Sequence, residues 1–204
     1  MIYAIIILGA VLLALLVINW LRKVQYDAVH RNFLDFEDHY GGKVVRGGFA
    51  VRPRFSGSYR DARFSISISS EKRKQNGQRE FYISIYFQAA ARSNYTVMAN
   101  AWLENRELSE KRKNASIPIL DNTYILEVSN KKNLRKLKIR DIEDHIRRIH
   151  PFAYILISRK GLIMERLSTN LIQDTEFDTL NPYIDELYNL SQIPEEVTAE
   201  NSGP

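Results

Sequence analysis

The chain has 204 residues, of which 45% are hydrophobic and 26% are charged, a composition typical of a folded protein rather than a disordered one. It contains no cysteine, which excludes disulfide bonds, thiolate catalysis and cysteine-based zinc sites. The formal net charge of +5 favours acidic neighbours, with an anionic lipid surface as the first candidate and nucleic acid as the less favoured one.

The chain begins with an unbroken apolar run. Residues 2–21 carry no charged side chain, and Arg22 and Lys23 follow at once. At about 1.5 Å per residue, a helix of this length spans roughly 30 Å, which matches the hydrocarbon core of a bilayer. A secretory signal peptide needs a basic segment before the run and small residues at a cleavage site, and this sequence offers neither. We therefore predict a retained transmembrane anchor over residues 1–23.

The flanking charges predict an orientation for this anchor. Lysine and arginine follow the apolar run and none precedes it, so the positive-inside rule predicts a cytoplasmic location for the rest of the chain. Ala10 and Ala14 have the spacing that lets two membrane helices approach closely, although small residues are common in such helices anyway. The predicted partners are the lipid bilayer and its anionic headgroups, together with another membrane protein or a second copy of the chain.

The next segment, residues 24–42, predicts an amphipathic stalk helix. Val29, Phe33, Phe36 and Tyr40 recur on one helical face, and Gly41 with Gly42 provides a stop signal. The anchor and the stalk are therefore expected to form one rigid element that packs on the domain.

From residue 43 to residue 102 the apolar period changes to two, as expected for strands with one buried face. Alternating phenylalanines and isoleucines predict strands near 64–70 and 81–88, joined by a charged hairpin that contains Asn76 and Gly77. The serines between them are expected to form a polar strand face. Tyr82 and Tyr86 share the corresponding face of the second strand, and we expect the stalk helix to cover them. If both rings are exposed instead, this face is a candidate for stacking RNA bases.

The second half of the chain mixes helices and strands. The patterns predict an exposed loop or short exposed helix over 104–114, and a strand over 117–128 that is either continuous or broken at Asp121 and Asn122. They also predict a helix from Ser129 to Ile149, a hairpin over 152–167 and a last helix around 180–188. The fold class is therefore α+β: a single N-terminal transmembrane helix followed by a mainly antiparallel sheet with two or three helices packed on it. We assign residues 43–193 to the soluble domain and 194–204 to a disordered tail.

No established catalytic motif is present. The sequence contains no Walker A loop, dinucleotide-type glycine pattern, HExxH motif or nucleophile elbow. Asp141 with His145 and Asp35 with His39 have helical i, i+4 spacing, but each pair has fewer ligands than the three or more that zinc needs. We interpret both as solvent-facing helix pairs, and we predict no catalytic residue, metal site or cofactor.

Basic clusters are the remaining candidates for a site. They are expected to contact anions such as lipid headgroups if they face the bilayer, or to form a solvated face if they do not. The candidate residues for this contact are Lys131, Lys132, Arg135 and Lys136 at the predicted start of the long helix, and Lys72, Arg73 and Lys74 at the hairpin tip. Another cluster lies at Lys111, Arg112 and Lys113.

The sequence thus favours a single-pass membrane protein whose domain is a non-catalytic binding or assembly module near the lipid surface. Two alternatives stay open. One is a membrane-tethered hydrolase or transferase, which we expect to show three or more polar side chains converging in one cleft. The other is RNA binding through the Tyr82 and Tyr86 face.

Overall fold

A computed structural model describes residues 2–48, 51–72, 79–88, 91, 93–104 and 115–194. Within these ranges the chain forms six helices and nine strands, and the predicted α+β class is confirmed. The helices are α1 Ile2–Tyr40, α2 Asn100–Glu104, α3 Lys131–Leu134, α4 Ile139–Ile149, α5 Leu171–Asp174 and α6 Phe177–Gln192. The strands are β1 Lys43–Val45, β2 Arg54–Tyr59, β3 Ala62–Lys72, β4 Arg79–Gln88, β5 Tyr95–Ala99, β6 Ala115–Ile119, β7 Tyr124–Val128, β8 Tyr154–Ser158 and β9 Gly161–Ser168.

Helix α1 is one continuous helix of 39 residues. Its N-terminal half is apolar and exposed, and it is long and apolar enough to cross a membrane. Its C-terminal half instead buries Tyr26, Val29, Phe33 and Phe36, the last three completely. The predicted stalk stripe is thus part of the domain core, and no break in the helix separates it from the apolar run.

All nine strands belong to one antiparallel sheet in the order β1-β2-β3-β4-β9-β8-β5-β7-β6. The long helices α1, α4 and α6 lie on one face, and the single turn α5 lies beside α1 and α6. Strand residues that face this layer are apolar and buried, for example Phe55, Ile66, Ile85 and Met164. We call the opposite side of the sheet the open face.

Helix α1 and strand β2 run side by side in the same direction, which gives the sheet a defined orientation relative to the apolar segment. Arg52 lies near Tyr26, Phe36 packs on Phe55, and Tyr40 packs on Tyr59. We therefore call the end of the sheet beside Tyr26 the proximal end, and the end beside Tyr40 the distal end. By strand register, the end of β3 is proximal and the end of β7 is distal.

The prediction of one helix from Ser129 to Ile149 is wrong. The chain forms the single turn α3, then bends through residues 135–138 before α4 begins. Lys136 and Leu137 each donate their backbone N–H to the carbonyl three residues earlier, and Leu137 turns into the core with 6% of its surface exposed. These three-residue hydrogen-bonded turns and the burial of Leu137 change the direction of the chain. The basic residues therefore do not begin a long helix.

The strand predicted over 117–128 is interrupted at residues 120–123, as its broken alternative predicts, and it forms a hairpin of β6 and β7. Leu120, Asp121 and Asn122 all have φ values between 49° and 63°, a left-handed conformation that reverses the chain. The predicted hairpins of β3 with β4 and of β8 with β9 are confirmed, and β2 forms a further hairpin with β3. The last strand of the region predicted to be strand-rich up to residue 102 ends earlier, at Ala99, and α2 follows it. Residues 105–114 of the predicted exposed loop lie outside the described residues.

Candidate functional site

The proximal end carries a basic and apolar surface close to the apolar helix. Tyr26 and Asp27 lie about 8 Å beyond Leu21 along the axis of α1. Lys23 contacts the Asp27 carboxylate at 2.8 Å, and Arg46 donates to the other oxygen of the same group. Two basic side chains, one from the helix and one from the segment after β1, thus converge on one carboxylate.

These contacts change the titration of Asp27. The hydrogen bond from Lys23 and then that from Arg46 lower the pKa of Asp27 from 3.8 to about 2. The carboxylate therefore stays ionised at any physiological pH. Lys23, Arg46 and Asp27 together carry a net charge of +1. The positive charge of this surface is thus retained although both cations have an acidic neighbour.

Arg52 extends the same surface. Its guanidinium lies 3.4 Å from the Tyr26 hydroxyl, donates to Ser70 of β3 and sits 5.8 Å from the centre of the Phe81 ring. No carboxylate contacts it among the described residues. Val51 beside it is 43% exposed and Val24 on the helix is 45% exposed. Exposed valines among arginines are the mixture that suits a lipid headgroup layer.

One candidate residue of the β3–β4 hairpin, Lys72, lies at this proximal end. Lys72 is the last residue of β3, two positions beyond Ser70, while Arg73 and Lys74 lie outside the described residues. The second candidate group does not join them. Lys131, Lys132, Arg135 and Lys136 follow the distal end of β7, five strand positions away from β3 and thus about 24 Å across the sheet. The two groups cannot form a single anion site.

The α3 group is nevertheless accessible. Lys131, Lys132 and Arg135 are exposed and Lys136 is half-buried. Asn130 caps the turn by accepting a hydrogen bond from the backbone N–H of Asn133, so a neutral side chain satisfies this helix end. The group is an exposed basic patch at the distal end, and Lys111, Arg112 and Lys113 lie outside the described residues.

The open face carries a groove that the sequence did not predict. It encloses about 380 Å³ across β2, β3 and β4, close to the distal end. Its rim and walls are formed by Gly42, Arg54, Ser56, Ser58, Arg63, Ser65, Tyr86 and Gln88, with Gly57 and Phe64 beneath them. The strand register explains the convergence, because Ser56 lies opposite Ser65, and Ser65 lies opposite Tyr86. The alternating serines lie on the open face, as the strand pattern predicts. Their grouping with arginines depends on pairings across three strands, which the pattern of one strand does not reveal.

The groove is suited to binding rather than to hydrolysis. Three or more polar side chains converge there, as expected for the enzyme alternative. A serine nucleophile also needs an adjacent base, however, and no carboxylate, imidazole or amine side chain is among the described residues that line the groove. We therefore interpret the groove as a binding surface.

The tyrosine face differs from the prediction. The stalk covers the phenylalanine and isoleucine face of the sheet, so the expectation that it covers Tyr82 and Tyr86 is wrong. Tyr82 is nevertheless only 3% exposed and donates to Glu80, whereas Tyr86 is 40% exposed. Stacking RNA bases requires both rings to be accessible, and Tyr82 does not meet that requirement.

The two histidines of the predicted pairs have different contacts: His145 contacts a carboxylate on another helix, and His39 packs on aromatic rings. His145 contacts Glu186 of α6 at 2.5 Å rather than Asp141, and Arg148 contacts the other oxygen of Glu186 at 2.9 Å. His39 packs against the rings of Tyr40 and Phe177. In the part of the chain that the structure describes, no group of three His, Asp or Glu side chains could hold a metal ion.

Fold and surface together define an α+β domain built on the continuation of one long apolar helix. No protein-family model matches the chain, and no curated protein sequence matches it. Among solved structures, it is similar to the crystal structure of the mycobacterial trehalose monomycolate transport factor A, TtfA. The TM-score is 0.42 at 11% sequence identity, with 81% of this chain and 98% of that chain covered.

Proposed function

We propose that this chain is a single-pass membrane protein whose α+β domain is a non-catalytic binding or assembly module, held on the cytoplasmic side close to the lipid surface. The observation that carries the proposal is the continuity of α1. The same helix is apolar and exposed in its first half and buried in the domain core in its second half. A domain mounted in this way cannot move away from the bilayer without breaking the helix or its own core.

The headgroup contact follows from the same geometry. The polar layer of a bilayer extends about 5–8 Å beyond its hydrocarbon core on each side. Arg46 and Arg52 contact the helix about 8 Å beyond Leu21, so they lie at the level of headgroup phosphates when residues 2–21 span the core. Each cation near an anionic surface contributes about 1 kcal/mol. We assign the headgroup contact to Arg46, Arg52 and the β3–β4 hairpin with Lys72, Arg73 and Lys74, in preference to the distal patch of Lys131, Lys132, Arg135 and Lys136.

The depth of two labelled positions tests this arrangement. Because the chain has no cysteine, single substitutions can be labelled without background. A fluorophore on Val51→Cys at the proximal end is compared with one on Lys160→Cys, which lies in the exposed distal turn between β8 and β9. The full chain is placed in nanodiscs that contain lipids with a quencher on the headgroup. We expect strong quenching at position 51 and little at position 160.

Equal quenching at the two positions contradicts the proposed distance. Protease accessibility in oriented vesicles tests the orientation separately, since cytoplasmic exposure predicts cleavage only from that side. Cross-linking of the intact protein in its native membrane, followed by mass spectrometry, tests the assembly role. Recovery of the chain with no cross-linked protein partner and no second copy contradicts that role.

A further inference from the structure

The groove on the open face carries two arginines whose charges are not balanced. Neither Arg54 nor Arg63 contacts a carboxylate among the described residues, and Arg54 makes one side-chain hydrogen bond, to the Ser65 hydroxyl at 3.1 Å. Both side chains are exposed at the rim of the groove. Arg60 at the same end is paired, since it contacts Asp185 at 3.3 Å and stacks on Tyr59 and Tyr188.

The spacing of the two arginines defines the size of the ligand. Arg54 and Arg63 lie on neighbouring strands, four residue positions apart in register, so their Cα atoms are about 14 Å apart. Arg54 leans toward the centre of the groove, because its guanidinium bonds to Ser65, whose Cα is about 7 Å from that of Arg63. Both arginines therefore line the same groove from strand positions on opposite sides of Ser65.

The remaining lining supplies hydrogen bonds and no negative charge. Ser56, Ser58 and Ser65 present hydroxyl groups, and Gln88 lies opposite Arg63 with an amide. Arginine forms bidentate hydrogen bonds with phosphate and carboxylate groups, which neutral serine hydroxyls complete as donors. A groove lined by two unpaired guanidinium groups and three hydroxyls is thus complementary to a compact ligand with more than one anionic group.

The position of the groove identifies the source of such a ligand. The level of Phe36 and Phe55, next to Arg54, lies about 22 Å beyond Leu21 along α1. A headgroup layer of about 5–8 Å does not reach this level, so lipids that remain in the same bilayer cannot fill the groove. The ligand must therefore come from the aqueous phase.

We propose that the groove binds a water-soluble organic anion with at least two phosphate or carboxylate groups, held between Arg54 and Arg63. This inference deepens the proposed function, since it names a ligand class for the binding module. The ligand class depends on the groove alone, so a negative binding result leaves the depth measurement as it stands. A failed depth measurement removes only the argument that the anion comes from the aqueous phase.

Calorimetric titration of the full chain in zwitterionic nanodiscs tests the proposal, with tripolyphosphate, citrate and inorganic phosphate as probes. We expect saturable one-to-one binding of tripolyphosphate or citrate, at least tenfold tighter than that of inorganic phosphate. Arg54→Gln and Arg63→Gln should each weaken binding at least tenfold. Arg147→Gln makes the same charge change on the exposed side of α4, away from the groove, and should alter binding less than twofold.

Three results overturn the proposal. They are the absence of saturable binding by the unmodified chain, an equal loss in the Arg147→Gln control, and unchanged binding in both groove variants. Nanodiscs with anionic lipid distinguish the sources of the anion. If lipid headgroups filled the groove, anionic nanodiscs would compete with tripolyphosphate in proportion to their lipid content, and this competition would also overturn the aqueous source. Circular dichroism confirms that each variant is folded, and both substituted positions are exposed.

Discussion

Phe36 on α1 and Phe55 on β2 lie with their ring centroids 5.8 Å apart, and both side chains are completely buried. Phe36 also contacts Phe33 and Phe177, so helix α1 is joined to the sheet and to α6 through one aromatic side chain. Phe36→Ala should therefore lower the free energy of unfolding by about 3–5 kcal/mol. Urea unfolding of the full chain in detergent micelles measures this change.

Leu34→Ala is the matched control for that substitution. Leu34 lies on the same helix with 39% of its surface exposed, and its truncation should cost less than about 1 kcal/mol. Equal losses for the two variants would show that the aromatic contacts do not attach the helix to the domain.

Gly57 permits the close approach of β2 to the chain that follows α1. A Cβ atom at this position would lie 2.5 Å from a ring carbon of the buried Phe55 and 2.9 Å from the carbonyl oxygen of Gly41. Gly57→Ala should therefore destabilise the domain by about 1–3 kcal/mol through overpacking. A Cβ at Gly47 would meet no atom closer than 3.6 Å, so Gly47→Ala should change stability by less than about 1 kcal/mol. Thermal unfolding compares the two variants, and similar midpoints would refute the steric explanation.

The Asp27 carboxylate, which contacts both Lys23 and Arg46, should have a low pKa that can be measured. Its pKa of about 2 lies below the ordinary value of 3.8, so its contribution to stability is fully present above pH 3.8 and is lost as the pH falls through 2. Lys23→Gln and Arg46→Gln should both raise the pKa of Asp27, and Lys23→Gln should raise it more because that hydrogen bond is the larger cause. Carbon NMR of the side-chain carboxyl measures these values in micelles. Arg22→Gln is the control and should leave the pKa unchanged, and an ordinary pKa in the unmodified chain would contradict the convergence.

Patterns within single elements predicted most of the fold. Three apolar residues of the stalk stripe, Val29, Phe33 and Phe36, are completely buried, because helical spacing directly determines which residues share a face. Strand alternation likewise identified Ile66 and Ile85 as core residues. The pattern allowed a break at Asp121 and Asn122 but did not show that the chain reverses there, because Leu120 adopts a left-handed conformation that is rare for a large side chain and no glycine marks the turn.

Contacts between distant elements could not be predicted in the same way. The groove requires β2, β3 and β4 in one register, which brings Arg54 beside Ser65 on the neighbouring strand. His145 was assigned to Asp141 because their spacing is local, whereas its partner Glu186 is 41 residues away on α6. The sequence also did not indicate that the candidate lysines at 72 and 131 lie at opposite ends of the sheet. These relationships depend on strand order and helix packing rather than on local spacing.

The continuity of α1 through residues 21–24 is the most direct test of how the domain is mounted. Spin labels on Leu8→Cys and Asp38→Cys, both exposed, are 30 residues apart and should give a narrow distance distribution near 45 Å if the helix is unbroken. Val24→Pro removes one backbone hydrogen bond and places the proline ring against the carbonyl of Trp20, which bends the helix. We expect the mean distance to shorten and the distribution to broaden, while urea unfolding of the domain stays near that of the unmodified chain because Val24 is 45% exposed. Val24→Ala removes a similar side chain without the bend and should keep the narrow distribution. A broad distribution in the unmodified chain would mean that the anchor does not fix the distance of the domain from the bilayer.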